Sequence, residues 1–317
     1  MNETQVDDVS TFDAVIIGAG PAGISAAIWC ADFGLSHVVL EKDDEIGGQL
    51  NWTFNRIVNY PGLLMDNGAE MLTHLRSHSN AIAANIRTSS SVAFVDLNKR
   101  IVGLNSGEQL RFGALVIATG VRRRTLEVPG EIEFAGRGIL SSGAREIGRV
   151  AGKNVVVIGG GDAALENASM MSKTAGHVTV LNRSRHFRAR SDFLDHAARQ
   201  ANVQLIENMR VRRFIGDSSL TAVEAEDIET GERFQYAAEA SLIRIGVVPN
   251  SEEFADLITL DRDGYIATDK NGMTNLEGIY AVGDVAHPDQ MTLSNAAFSA
   301  SAAVRDMRAK QPNLWRR

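Results

Sequence analysis

Ala14-Val-Ile-Ile-Gly-Ala-Gly-Pro-Ala-Gly-Ile-Ser-Ala-Ala27 decides the fold of this chain. Ala14 to Ile17 is a short apolar run of the kind a parallel sheet buries on both faces, and Ile24, Ala27, Ile28 and Ala31 recur at helical spacing until Gly34. Between strand and helix, Gly18, Gly20 and Gly23 fill a G-x-G-x-x-G turn, with Pro21 and Ala22 inside it. The first glycine permits the turn, the second lets backbone approach a pyrophosphate, and the third lets helix and strand pack closely. The unbonded N–H groups and dipole of the helix start then face an anion. Glu41 stands eighteen residues after Gly23, directly behind a second strand, His37-Val-Val-Leu40, where a ribose hydroxyl would be held; Lys42 follows it. A lone glycine pattern is weak, but here strand, helix, second strand and acid fall in register. The stretch reads as a dinucleotide site.

The rest of the chain sets limits. Its 317 residues, 44% apolar and 22% charged, suffice for two modest globular cores. A net charge of −7 argues against nucleic acid or an anionic membrane as the main partner, and no apolar run is long enough to span a bilayer. Met1-Asn-Glu-Thr-Gln-Val-Asp-Asp8 is acidic and polar, unlike a secretory or transit signal, so the expected location is cytoplasmic. Cys30 is the only cysteine, which rules out an intrachain disulfide, and its place on the first helix suits a small buried hydrophobe.

Beyond Glu41 the segment through Gly48, Gln49, Leu50 and Asn59-Tyr-Pro-Gly62 is rich in glycine and turn residues, so it is expected to lack regular structure and to press its backbone against a flat ligand. A helix is predicted around Glu70, Leu72 and Leu75, with solvated His74 and His78. Alternation between Ser91 and Arg111 predicts hairpin strands with turns at Asn98-Lys99 and Asn105-Ser-Gly107. A buried strand ending in a glycine, Ala114 to Gly120, follows, and the composition changes sharply at Val121-Arg-Arg-Arg124.

An internal echo then begins. Val155-Val-Val-Ile-Gly-Gly-Gly-Asp-Ala-Ala-Leu-Glu-Asn-Ala168 repeats strand, G-x-G-x-x-A and helix, with Gly159, Gly161, Asp162 and Ala163 at the turn. Ala164 is followed eighteen residues later by Asn182, again behind a strand, and then by Arg183, Arg185 and Arg188. An acid accepts from a free 2′-hydroxyl and would repel a 2′-phosphate, whereas guanidinium groups pair with that phosphate. The first site therefore suits an ADP moiety without the extra phosphate and the second suits NADPH. Gly246 and Pro249 mark a further boundary, after which Gly278-Ile-Tyr-Ala-Val-Gly-Asp-Val285 returns to the character of the first part. Residues 121–247 are thus read as an insertion between 1–120 and 248–317, with Gly120 and Gly246 as two crossings of a hinge.

Gly18 to Gly23, Gly47-Gly-Gln-Leu50, Asn59-Tyr-Pro-Gly62, Ala118-Thr-Gly120, Gly159-Gly-Gly-Asp162, Ile245 to Asn250 and Gly278 to Asp284 together resemble the low-molecular-weight bacterial thioredoxin reductases, FAD- and NAD(P)-dependent members of the pyridine nucleotide-disulfide oxidoreductases. The resemblance covers nearly the whole chain. It implies an α/β fold of two Rossmann-like, three-layer ββα domains, the NADPH domain inserted in a split FAD domain, and usually a homodimer. It also implies that Thr119, Gly120, Gly283 and Asp284 contact FAD, with Asp284 on the ribitol chain, and that Met291, Thr292 and Leu293 lie at a helix start near the flavin's pyrimidine edge.

The reactive centre departs from the family. Its Cys-x-x-Cys-Asp motif is replaced by Ser142, Arg145 and Glu146, with the spacing from Gly138 to Gly159 kept. Asn182 and Ser184 replace a histidine and an arginine of the 2′-phosphate motif, Met291-Thr292 an arginine-glutamine pair, and Phe298 a glycine, where it would narrow access to the flavin or fill core. A serine cannot cycle between thiol and disulfide. The expected activity is transfer of electrons from NADPH through FAD to a non-disulfide acceptor, an electron-transfer protein or a small molecule. Two other readings stand beside it: a small-molecule oxidase or dehydrogenase using Ser142, Arg145, Glu146 and His287 as polar groups, and a non-catalytic FAD- or NADPH-sensing protein. The terminal Leu314-Trp-Arg-Arg317 is read as a frayed tail or a cover for the flavin.

Overall fold

The computed structural model describes residues 9–310, so the N-terminal octapeptide and the Leu314–Arg317 tail lie outside the described residues. The chain forms β1 (Ser10–Ile17), α1 (Pro21–Asp32), β2 (His37–Leu40), α2 (Gly68–Ala81), β3 (Ile86–Arg87), β4 (Val92–Asp96), β5 (Ile101–Leu104), β6 (Gln109–Ile117) and β7 (Val121–Arg123). It continues with β8 (Ile139–Leu140), β9 (Asn154–Ile158), α3 (Asp162–Met171), β10 (His177–Leu181), α4 (Ser191–Ala198), β11 (Val203–Ile206), β12 (Met209–Gly216), β13 (Leu220–Asp227), β14 (Arg233–Ala237) and β15 (Ala240–Ile243). It ends with β16 (Val247–Pro249), β17 (Ile279–Ala281) and α5 (Leu293–Lys310). Two compact units result, one of Met1–Arg122 with Val248–Arg317 and one of Arg123–Val247.

In the first unit a sheet runs β3-β2-β1-β6-β5-β4, with β17 paired to the far end of β6. β1 is parallel to both β2 and β6, which leaves its two faces to be covered by different layers. Ala14 and Ile16 point to one side, against Ala26 and Ala27 of α1 and Ala300, Ala303 and Val304 of α5. Val15 and Ile17 point to the other, against Val102 and Leu104 of the hairpin arm and Phe254, Ile266 and Val285. Small residues on the helix side and branched ones on the strand side explain the period-2 pattern buried throughout.

The second unit repeats the plan. Its parallel sheet runs β11-β10-β9-β15-β8, with Val155 and Val157 facing Ala164, Leu165 and Ala168 of α3. Val156 and Ile158 face the antiparallel sheet β12-β13-β14 through Phe214 and Val223. Each unit is therefore a three-layer Rossmann-like body, and together they make the α/β fold expected from the glycine turns. Two local expectations need correction. Gly48–Trp52 forms a 3-10 helix, because Leu50 turns inward against Ile24, Met71 and Leu72. The buried strand expected over Ala114–Gly120 is the end of β6 and stops at Ile117. Among the described residues no helix is long and apolar enough to cross a membrane.

Candidate functional site

In the first unit the turn after β1 is closed by the Gly18 N–H donating to the Leu40 carbonyl at 2.8 Å. A Cβ on Gly23 would run into the Gly18 carbonyl oxygen, so the helix starts against the strand end only because that position is glycine. Gly20 caps α1 without any side chain, and the first helical N–H groups stay available to an anion. Glu41, buried, is held in place: one carboxylate oxygen accepts from Ala19 N–H at 2.8 Å and the other from Asp43 N–H at 3.0 Å. Each oxygen keeps a lone pair for a hydroxyl. Lys42 beside it is exposed.

Two further segments close on this turn. Gly47 N–H donates to the Ala19 carbonyl at 2.9 Å, and a Cβ on Gly48 would press on Gly20. A Cβ on Gly283 would meet Ala22 at 2.8 Å. The strand-end glycines of β1 and β17 thus share one crevice with Gly48. Asp284 in it has no hydrogen-bond partner among the described residues, and burial pushes its carboxyl up to about 6. A half-buried acid without a donor suits a hydroxylated chain that would supply one, as FAD's ribitol does. Nε2 of His287 and Nδ2 of Asn295, both buried, also lack partners. Burial holds the His287 imidazole below its ordinary value.

The remaining positions named for this site play varied parts. Gln49 donates to the Val121 carbonyl at 3.0 Å, and Thr119 exchanges bonds with Asn250 at 2.6 and 2.8 Å, which fixes the backbone leading to Gly120. Leu50 is core, so only its backbone is left for a ligand. Thr292 caps the start of α5, accepting from Asn295 N–H at 3.1 Å, between Met291 and Leu293. Exposed Asn59 receives the Ser294 hydroxyl at 3.5 Å. Phe298 is 66% exposed, which removes the reading of it as core. Asn295 was missed because a single amide on an Ala/Ser-rich helix carries no pattern.

The second unit builds the corresponding turn from Gly159, whose N–H donates to Leu181 O at 3.0 Å. Gly161 caps α3 without a side chain, and the Ala163 carbonyl accepts from Asn167. Asn182 is buried and spends its amide on its own loop, donating to Ser184 O and His186 O at 3.0 Å each. It braces Gly160 rather than facing a ligand with open polar atoms. Gly160 O in turn accepts from Arg188 and Ala189 N–H, at 2.7 and 3.0 Å. Arg183 and Arg188 are exposed on this pinned loop with no ion pair among the described residues, whereas Arg185 pairs with Glu229 at 2.9 Å. Asp162 is claimed by Arg190, whose N–H and Nε both donate to it at 2.8 Å and hold its carboxyl below the usual range. Arg190 had no motif to announce it; its pairing neutralises an acid at the mouth of an anion site.

Ser142, Arg145 and Glu146 lie together behind β8, where Ser141, Arg145, Glu146, Gly148 and Arg149 line an open depression. Glu146 is structurally committed. It accepts from Ser141 N–H and Oγ at 2.8 and 2.9 Å, from Ser142 N–H at 2.9 Å, and from Arg149 at 2.6 Å. Burial raises its carboxyl, and these hydrogen bonds outweigh that and lower it. An acid stabilised as the anion is a poor proton donor at neutral pH. The Ser142 hydroxyl, buried, accepts from Arg145 N–H at 3.4 Å. Cys30 is 0% exposed between α1 and α5, and burial, with Asp13 adding to it, pushes its thiol up to about 12. No other thiol exists in the chain.

The model of the family described as pyridine nucleotide-disulphide oxidoreductase matches residues 12–301. The chain is 32% identical over 293 residues to a 34.2 kDa protein in a rubredoxin operon of Clostridium pasteurianum, covering 92% of this chain and 94% of that one. It is 30% identical over 285 residues to a thioredoxin reductase of Peptoclostridium acidaminophilum, with 87% and 89% covered. Among solved structures, a thioredoxin reductase of Lactococcus lactis superposes with a TM-score of 0.84 at 29% identity, over 94% of this chain and 98% of that one. FAD and NADPH are the cofactors of this family and of the thioredoxin reductases in it, in keeping with the two glycine turns. This chain is an oxidoreductase of the pyridine nucleotide-disulphide oxidoreductase family.

Proposed function

We propose that the chain passes electrons from NADPH through FAD to an acceptor that is not a disulfide. One observation carries this: the positions of the family's cysteine pair are Ser142 and Arg145, and the sole thiol, Cys30, is sealed in a core as the neutral form. Sulfur is therefore missing from the one place where dithiol exchange needs a thiolate. Bound FAD supplies the chemistry that remains, accepting a hydride and releasing electrons singly or in pairs. The residues 1–122 and 248–317 hold FAD, with Glu41 on the ribose, the α1 N-terminus on the pyrophosphate and Asp284 on the ribitol. Residues 123–247 hold NADPH, its pyrophosphate at the α3 start and its 2′-phosphate on Arg183 and Arg188. The working protein is a homodimer. His287 stands near Asp284 as the group able to hold a proton beside the flavin, whereas Glu146 shapes the loop instead of titrating.

Anaerobic stopped-flow of the flavoprotein tests the reading. NADPH should bleach the yellow absorbance rapidly. Absence of bleaching by NADPH and NADH alike would overturn it and leave a metabolite-driven oxidase or a sensor.

A further inference from the structure

Arg123 and Arg244 stand side by side, and the nearby acid, Glu146, is ion-paired to Arg149 rather than to either of them. Arg244 is the first residue after β15, and Ser141 the first after β8, its parallel neighbour. Both guanidinium groups donate to one acceptor, the Ser141 carbonyl, Arg244 at 3.4 Å; Arg244 also donates to Ile243 O at 2.8 Å. A guanidinium offers five donors, so most of the N–H groups of the pair are unspent. Neither forms an ion pair among the described residues. The neighbouring acid, Glu146, has already given its oxygens to Ser141, Ser142 and Arg149. A neutral carbonyl cannot offset two positive charges. Partial removal from water lowers both groups, and for Arg244, brought to about 10, the charge of Arg123 adds to burial and together they outweigh the opposing pull of Glu146. The pair is thus held together at a cost that an anion would relieve.

Its place in the fold points the same way. The sheet order β11-β10-β9-β15-β8 reverses direction between β9 and β15, and ligands of open α/β sheets bind at the C-terminal strand ends beside such a switch point. Gly159 ends β9 there, and a Cβ on it would strike the Arg244 carbonyl oxygen. The arginines therefore sit one strand away from the glycine turn, on the side opposite Arg183 and Arg188. That side adjoins the depression lined by Ser141, Arg145 and Glu146.

We infer that Arg123 and Arg244 form a subsite for an oxyanion, a phosphate, sulfonate or carboxylate, at the C-terminal edge of the β8–β15 pair. Resting on the proposed NADPH-to-acceptor reading, it assigns that anion to the nicotinamide side of the site. It belongs either to the phosphate next to the nicotinamide ribose or to an acceptor bearing an acidic group. Guanidinium is the suited group because it meets a planar or tetrahedral oxyanion with paired donors.

Calorimetric titration of the flavoprotein with inorganic phosphate tests the subsite without turnover, so its result stands even if NADPH fails to bleach the flavin. Arg123→Ala and Arg244→Ala should each weaken phosphate about tenfold, as loss of a charge-assisted hydrogen bond does. Arg262→Ala, at an exposed site, should leave it unchanged. Equal binding in all proteins, or an equal loss in Arg262→Ala, would overturn the inference. Should Arg244→Ala fail to fold, Arg123→Ala at the open edge carries the same expectation. Two kinetic arms then separate the sources of the anion. A rise in KM for anthraquinone-2-sulfonate, but not for menadione, places the acceptor on the arginines. A weaker Kd for reduced nicotinamide mononucleotide places the cofactor's own phosphate there. A loss in neither arm overturns the subsite as part of the reaction.

Discussion

Asp284 has been raised to about 6 by burial alone, which makes it the residue whose protonation the ligand should change most. An acid whose folded value exceeds its unfolded one favours the folded state while protonated. That contribution is fully present below the unfolded value near 4 and lost as pH rises through about 6. The apoprotein should therefore lose stability between pH 4 and pH 6.5 relative to Asp284→Asn. Hydroxyl donors from bound FAD favour the anion, so FAD should bind the wild-type apoprotein more tightly as pH rises from 5 to 7. Fluorescence titration of apoprotein with FAD measures this, and a pH profile identical in Asp284→Asn would contradict it. At the second site, Arg183 and Arg188 are the arginines whose charges are unspent in the loop after β10. Arg183→Ala with Arg188→Ala should raise the Kd for NADPH more than tenfold and that for NADH less than threefold, consistent with the worth of charge-assisted pairs. Equal losses would remove the 2′-phosphate from this loop.

At the scale of elements, the glycine turns were legible because each needs a residue type for a steric reason. Gly23 tolerates no Cβ against Gly18 O, whereas Ala164 at the matching place carries one. Gly23→Ala should cost about 2–3 kcal/mol by overpacking and release flavin, read as melting temperature and flavin content after gel filtration. Normal flavin retention would show that the turn is not what holds the pyrophosphate. The strand β6 was legible in its buried half but not as one continuous strand, for an equally physical reason. Its first residues alternate buried and exposed beside antiparallel β5, then its last four are buried on both faces, so one strand carries two patterns. Strand-like sequence from Gly231 announces β14, but α4, β12 and β13 went unseen, since Ser191–Ala198 is short and Met209–Asp227 mixes charges into its strands to pair Arg212 with Glu226 and Arg213 with Glu224. Glu146 shows the limit for sites. Its sequence position matches a reactive acid, and only the geometry reveals that four hydrogen bonds make it a brace.

For the molecule as a whole, two related units and one sealed thiol define what electron transfer can be. A family member with a redox disulfide stores one electron pair in sulfur and another in flavin, and so takes up two hydride equivalents. Here Cys30 is alone and 0% exposed, leaving the flavin as the only store. The proposed subsite of Arg123, at the end of β7, and Arg244, after β15, fits this change, as it brings positive charge beside Ser141 and Ser142, next to where the family carries its cysteines. The direct measurement is an anaerobic titration of the flavoprotein with NADPH, following the flavin absorbance to its end point. Complete bleaching at about one equivalent of NADPH per flavin is the expected result. An end point near two equivalents would mean a second two-electron centre, and no bleaching would mean that NADPH is not the reductant; either would contradict transfer from NADPH through FAD alone.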